Sequence, residues 1–198
     1  MSNRCYLTVT PWPRIYPSFG DLEYDADRHT ALASAGCVPM LWLPLFAPAD
    51  LVEHTFTTDD GPVVAVAPLA RTEDAVARLR AHRPWLEASF ADRGPLGHHV
   101  DLLLRHLEGH DGAWISIELA EISALDPDPS AWHARLRDVL ARIGRADPAA
   151  ARALAALATV MLEQRFITLD QAPTATPEER WNFFRLLGEG WRRPAAWE

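Results

Sequence analysis

Lysine is the residue type that this sequence lacks altogether. All 19 of its basic side chains, histidine aside, are arginine. The absence excludes a P-loop nucleotide site, Schiff-base or pyridoxal chemistry and a protein-kinase site, because each of them needs a lysine amine. Any positive contact that the protein makes is therefore a planar guanidinium contact, which suits carboxylates and aromatic faces.

Positive charge is also scarce overall. The 19 arginines stand against 27 Asp and Glu residues, which gives a formal net charge of -8. A nucleic-acid partner is not expected, because phosphate binding needs clustered basic residues. The deficit is concentrated in residues 15–70, where eight acidic residues stand against Arg28 alone, a balance of -7. This segment is interpreted either as a solvated acidic face or as a docking surface for a basic protein. Its candidate partner-binding residues are Asp21, Glu23, Asp25, Asp59 and Asp60.

Signals for a membrane span, secretion or a cofactor are missing as well. A long apolar stretch at residues 35–49 contains three prolines and is shorter than the roughly 20 residues of a membrane helix. The N-terminus has no signal-peptide pattern, so we expect a cytoplasmic protein that contacts no membrane. Cys5 and Cys37 lack CxxC spacing and are predicted to be buried, reduced thiols. No glycine-rich dinucleotide loop or catalytic-serine motif occurs, and no cofactor is expected.

Hydrophobic alternation predicts strands mainly in the first part of the chain. Residues 5–10 and 114–122 alternate apolar and polar side chains, as half-buried strands do. Residues 53–58 and 63–67 flank an Asp-Asp-Gly turn and are predicted to form an antiparallel hairpin. A further short strand is predicted over residues 166–169.

Helical patterns dominate the later part of the chain. Thr72, Ser130 and Asp147 are the predicted helix starts, and Thr176 opens a capping box. Pro84 is expected to end or kink the first long helix. The predicted helices cover residues 27–35, 72–83, 85–91, 95–108, 131–143, 148–164 and 180–187.

This order of elements predicts an α+β fold, with a small, largely antiparallel sheet covered by several helices and a helical C-terminal half. Residues 1–198 are predicted to form a single domain. Residues 126–198 are the one segment that could form a helical subdomain, because a stiff Asp-Pro-Asp-Pro linker precedes the later helices.

Four of the eight histidines lie between positions 98 and 110. On the predicted helix 95–108, His99 and His106 project about 80° to 90° away from the centre of the apolar face and are expected at its boundary, partly exposed. His106 and His110 are four residues apart, as two metal ligands on one helix would be. Gly109 is expected to end the helix before His110, so no metal site is predicted.

Carboxylates near the end of the 114–122 strand complete the candidate catalytic set. Glu118 either faces solvent or enters a polar pocket, and in a pocket with His99 or His106 it would form an acid-base pair. Glu121 lies beside it in sequence. The candidate catalytic residues are His99, His106, Glu118 and Glu121.

Aromatic residues are dense at the C-terminus. Trp181 and Phe184 recur at helical spacing and are interpreted as a helix face packed on the core. Trp191 and Trp197 lie beyond that helix, near Arg192 and Arg193. We expect these two tryptophans to dock on the chain itself or on a partner, where Trp and Arg are preferred anchors.

Three short segments carry a resemblance to a known family. Residues 3–7 read Asn-Arg-Cys-Tyr-Leu, residues 39–43 read Pro-Met-Leu-Trp-Leu, and residues 117–122 read Ile-Glu-Leu-Ala-Glu-Ile. Together they resemble an uncharacterised family of bacterial proteins that open with an Asn-Arg-Ser-Tyr-Leu-like strand. The resemblance implies a compact, cytosolic bacterial protein and no particular activity. Cys5 stands where the family tends to have serine, which argues against a required hydroxyl there.

Two functional hypotheses follow from the sequence. The first is an acidic binding protein, similar to an immunity or inhibitor protein, that covers a basic partner with residues 15–70. The second is a small-molecule enzyme, such as one of a biosynthetic pathway, that uses a His/Glu acid-base pair. Either protein is compatible with a homo-oligomer.

Overall fold

The structure, a computed structural model, describes residues 4–15, 29–58, 61–94, 96–108, 113–147 and 149–189. Five strands form one sheet in the order β2-β1-β5-β4-β3, and each neighbouring pair is antiparallel. The strands are β1 (Arg4–Thr10), β2 (His29–Ala35), β3 (Leu51–Thr58), β4 (Gly61–Arg71) and β5 (Trp114–Glu118). The predicted α+β class with a small antiparallel sheet is confirmed.

Helices make up most of the chain after β4. The α-helices are α1 (Thr72–Ser89), α2 (Leu96–Leu107), α3 (Ala120–Ser123), α4 (Pro129–Gly144), α5 (Ala150–Leu157) and α6 (Pro177–Leu187). Short 3-10 helices lie at Met40–Leu45, Pro48–Asp50 and Ala172–Thr174. Within the described ranges, no helix has both the length and the apolar character that a membrane crossing requires.

The two faces of the sheet differ in chemistry. On β1 and β5, one face carries apolar side chains that belong to the same core as the helices, namely Cys5, Leu7, Val9, Ile115 and Ile117. Successive side chains of a strand point to opposite faces, so the other face carries Tyr6, Thr8, Thr10, Ser116 and Glu118. The second face is polar and largely buried, because Thr8, Thr10, Ser116 and Glu118 are at most 3% exposed.

Trp42 lies at the centre of the core. Every residue of the 3-10 helix Met40–Leu45 is buried, and α1, α5 and α6 pack against it. The Trp42 Nε1 donates a hydrogen bond of 2.9 Å to the carbonyl oxygen of Leu187, so the polar atom of this side chain is satisfied inside the core. The apolar stretch at residues 35–49 therefore lies in the core over residues 37–46, and its two ends are partly or fully exposed.

The β3–β4 hairpin forms as predicted, because β3 pairs with β4 from Leu51 opposite Pro68 to Thr58 opposite Gly61. The helix predicted over residues 27–35 is wrong, since residues 29–35 form β2. Pairing with the edge of β1 supplies backbone hydrogen bonds and burial for Leu32 that outweigh the helix propensity of its alanines.

Several predicted element boundaries are also wrong. The helix does not end at Pro84 but continues to Ser89, with Leu79 and Leu86 on either side of the proline both fully buried. The 114–122 strand ends at Glu118, and Ile122 lies in α3. Residues 166–169 form no strand, although the Phe166 N–H donates to the carbonyl oxygen of Arg93.

Capping residues explain where the later helices begin. Asp128, not Ser130, is the N-cap of α4, because its Oδ1 accepts from the Ala131 N–H at 3.0 Å. Thr72 does not cap α1 and instead donates from Oγ1 to the carbonyl oxygen of Ala113. The predicted capping box of α6 is confirmed, with its two reciprocal hydrogen bonds between Thr176 and Glu179.

Both α4 and α5 end on a non-glycine residue in the left-handed region, Ala146 with φ 50° and Thr159 with φ 54°. At the end of α4, the Asp147 N–H bonds to the carbonyl oxygen of Arg142 at 3.1 Å, the long bond of a Schellman motif. The same bond pattern closes α5 and ends it at Leu157, earlier than the predicted residue 164.

Replacing Ala146 with glycine is expected to stabilise the protein by about 1 kcal/mol, because an L side chain in the left-handed region costs roughly that much.

Gly144, two residues earlier, has open space around it and helical geometry, so Gly144→Ala is expected to add about 0.5–1 kcal/mol. Urea unfolding measures both. Destabilisation by Ala146→Gly would show that α4 does not close on a Schellman motif.

Candidate functional site

Part of the predicted binding surface lies outside the described residues. The residues in question are Asp21, Glu23, Asp25, Asp59, Asp60, Trp191 and Trp197, together with His110. The remaining candidates, His99, His106, Glu118 and Glu121, all lie within the described ranges. Their positions decide which chemistry the structure supports.

His99 is a core residue. Its side chain is fully buried, Nε2 lies 2.7 Å from the carbonyl oxygen of Ile167, and its ring centroid is 5.6 Å from that of Phe183. Since a carbonyl only accepts, Nε2 carries the proton and donates it. The predicted partly exposed position of His99 is wrong, because α6 and the segment around Ile167 cover the side of α2 that its own periodicity leaves at the boundary.

His106 is half-buried at the edge of the apolar face of α2, the position that its helical spacing predicts. The predicted apolar face itself is correct, since Val100, Leu103, Leu104 and Leu107 are all buried. Among the described residues, no three His, Cys, Asp or Glu side chains are grouped to hold a metal ion.

Glu118 is fully buried, so the solvent-facing alternative is wrong. It lies opposite Tyr6 of β1, on the polar face of the sheet. Next along that face, the hydroxyls of Thr8 and Ser116 are hydrogen-bonded at 2.8 Å. The contacts of His99 described above belong to α2, α6 and the Ile167 segment rather than to this face. An acid-base pair of His99 with Glu118 therefore stays a prediction with no described contact in its favour.

Glu121 and Cys5 tie the start of β1 to its surroundings. The Glu121 Oε2 accepts a 2.8 Å hydrogen bond from the backbone N–H of Arg4, which fastens α3 to the first strand. Burial raises the pKa of the Cys5 thiol well above its ordinary value, and the neighbouring Cys37, Glu118 and Glu121 raise it further. The Cys5 thiol is therefore protonated at neutral pH and is a poor nucleophile. Cys5 and Cys37 are both buried and free, as predicted.

A cavity that the sequence did not predict lies where the turn after β2 meets α6. It has a volume of about 150 Å³, and its floor contains Ser34 and Cys37, whose Oγ and Sγ atoms are 3.4 Å apart. One wall comes from α6 and the residues just beyond it. The cavity is lined by Ser34, Ala35, Gly36, Cys37, Thr159, Trp181, Phe184, Arg185 and Glu189.

Local structure fixes the walls of this cavity. Backbone hydrogen bonds in both directions between Ala33 and Glu189 hold the end of α6 against β2. Trp181 is 54% exposed and Phe184 is half-buried, so the interpretation of these two as a buried core face is wrong for Trp181. The buried face of α6 is formed instead by Asn182, Phe183, Leu186 and Leu187. Trp181 and Phe184 are thereby left to line the cavity.

No protein-family model, curated protein or solved structure matches this chain. The resemblance to a bacterial family based on three short segments therefore stays a prediction.

Proposed function

We propose that the protein binds a basic protein partner, as an immunity or inhibitor protein does, and that the β3–β4 hairpin makes the contact. The observation that carries the proposal is the exposure of the outer half of this hairpin. Glu53, His54 and Thr55 are successive residues of β3, and all three are exposed. Since successive residues face opposite sides, β3 is exposed on both faces of the sheet at this point.

The contrast along β4 supports the same conclusion. Ala65, Val66 and Ala67, nearer the body of the protein, are buried, whereas Val64 is 57% exposed. Val64 lies opposite Thr55, so the open face of the hairpin carries an apolar side chain beside an acidic one, Glu53. An apolar contact within a charged rim is the usual composition of a protein-binding patch.

The position of β3 in the sheet supports binding through the backbone. It is the last strand in the sheet order, so within the described part of the chain no strand pairs with its outer edge. Such an edge can accept an extended segment of a partner by strand addition. The acidic sequence of this region, with Glu53 on β3 and Asp59 and Asp60 following β3 in the sequence, favours a segment rich in Arg or Lys.

Not every acidic residue of this region is available to a partner. Asp50 forms an ion pair with Arg78 at 2.7 Å and also accepts from the backbone N–H of Ala47. Its charge therefore serves the fold. The proposal rests on Glu53, Asp59 and Asp60.

Charge reversal at the hairpin tests the proposal. The probe is a ten-residue synthetic peptide of alternating Arg and Val, titrated into the full-length protein by calorimetry. The Asp59→Lys/Asp60→Lys variant is expected to weaken peptide binding by about tenfold or more, because it changes four charge units in the two residues that follow β3 in the sequence. Methylating alternate backbone nitrogens of the peptide is expected to weaken it similarly, since those nitrogens then cannot pair with β3.

Glu163→Lys/Asp170→Lys is the matched control, because both residues are exposed and the variant changes the net charge equally. Equal weakening by the control would mean that the peptide responds only to overall charge and would overturn the proposal. The proposal would also fail if the unmodified peptide did not bind.

A further inference from the structure

We propose that the cavity between β2 and α6 binds a small zwitterionic molecule of the α-amino acid class, with its carboxylate at Arg185 and its ammonium at Glu189. This site is separate from the β3–β4 hairpin and does not depend on the partner-binding proposal.

Two residues of opposite charge line the cavity. Arg185 and Glu189 are both half-buried and both line it. Within the part of the chain that the structure describes, the Arg185 guanidinium and the Glu189 carboxylate form no ion pair and no side-chain hydrogen bond, with each other or with another residue. Arg78, Arg83 and Arg142, by contrast, are each paired with a carboxylate at 2.5–2.8 Å. Two opposite charges that share one cavity without meeting match a ligand that carries both charges.

The remaining walls determine what lies between those charges. Trp181 and Phe184 are three residues apart on α6 and therefore lie on one side of the helix. Their rings offer an apolar surface to a hydrocarbon side chain, and an aromatic ring also favours an ammonium group placed against its face. Ser34 and Cys37 at the floor supply only neutral groups, so the floor adds no third charge for the ligand to match.

Size limits the ligand. A cavity of about 150 Å³ is comparable to engineered protein cavities that hold a single benzene molecule. This corresponds to a ligand of roughly six to nine non-hydrogen atoms. Alanine, serine and valine fall within that range, whereas nucleotides and sugar phosphates do not.

Backbone geometry at Thr159 provides an independent observation. This residue lines the cavity, and its φ of 54° puts a β-branched side chain in the left-handed region, where glycine is the usual residue. Glycine would close the Schellman motif of α5 without that cost but would remove the side chain from the cavity wall. Strained backbone residues cluster at ligand sites, and Thr159 is one such residue at this cavity.

Calorimetric titration of the full-length protein with L-valine tests the site. Binding is expected, together with at least tenfold weaker binding of isobutylamine and of 3-methylbutanoic acid, which lack the carboxylate and the ammonium of valine respectively. Arg185→Gln and Glu189→Gln are each expected to weaken valine binding by about tenfold or more. Arg185→Lys, which keeps the charge but loses the bidentate geometry, is expected to weaken it less than Arg185→Gln does.

Arg180→Gln and Glu178→Gln, on the same helix but outside the cavity lining, are the controls and are expected to bind valine as the unchanged protein does. Thermal unfolding without ligand shows whether each variant is folded. The proposal would be overturned if alanine, serine and valine all bound with a Kd above about 10 mM, which corresponds to a binding free energy weaker than roughly 3 kcal/mol. It would equally fail if Arg185→Gln left binding unchanged in a folded protein. The hairpin variant Asp59→Lys/Asp60→Lys is expected to retain valine binding, so this proposal and the partner-binding proposal fail independently.

Discussion

Replacing Gly188 with alanine is expected to destabilise the protein by about 3–5 kcal/mol, through backbone strain and overpacking together. Gly188 ends α6 with φ 81° and ψ -175°, a backbone region that is essentially restricted to glycine and that costs an L residue roughly 1–3 kcal/mol. A β-carbon at this position would also collide with the Trp42 ring and would lie 2.8 Å from the carbonyl oxygen of Ala33. Neither neighbour can retreat, because Trp42 is fully buried and Ala33 is bonded to Glu189 in the bridge between β2 and the end of α6.

Gly36 separates the two contributions to this cost. It has a similar φ of 72°, but a β-carbon there meets no atom within 4 Å. Gly36→Ala is therefore expected to cost only the backbone term, about 1–2 kcal/mol. Urea unfolding of both variants measures the difference. If the two variants lost equal stability, the close packing of Gly188 on Trp42 would not contribute to folding.

The contact of Gly188 with Trp42 joins residues that are far apart in the sequence. Contacts of this kind explain why the helices and strands were more predictable than the way in which they pack together. The hairpin, α2 and the capping box of α6 each depend on one continuous segment of fewer than 20 residues, so local periodicity and turn chemistry predict them. The β2 strand depends on its pairing with β1, which the sequence 29–35 does not encode by itself. Its alanines favour a helix until the edge of β1 supplies backbone partners.

The same reasoning applies to the candidate site. Periodicity on α2 gives the angle of each side chain around one helix, and on that measure His99 lies at the boundary. Its burial is decided by α6 and the segment around Ile167, which lie about 70–85 residues away in the sequence. The cavity has the same origin, because residues 34–37 meet residues 181–189 only in the folded chain. The only local signal for it was Trp181 and Phe184, which fit a core helix equally well by spacing.

Replacing His99 with alanine is expected to destabilise the protein by about 3–4 kcal/mol, because it removes a fully buried ring that packs on Phe183. It also leaves the carbonyl oxygen of Ile167 without the 2.7 Å hydrogen bond from Nε2, and an unsatisfied buried polar group costs about 1–3 kcal/mol. His99→Gln, which retains an N–H donor of similar reach, is expected to lose less stability than His99→Ala. Guanidinium chloride unfolding at neutral pH measures all three proteins.

His106→Ala is the comparison that shows whether the stability loss at His99 is specific to a core position. His106 is on the same helix and is half-buried, so its loss is expected to cost about 1 kcal/mol or less. If His99→Ala loses much more unfolding free energy than His106→Ala does, His99 is a core residue, because the main contribution of a structural side chain is its packing. A functional residue is often retained at the expense of stability. If His99→Ala left the stability unchanged or raised it, the acid-base role predicted for His99 would again have to be considered.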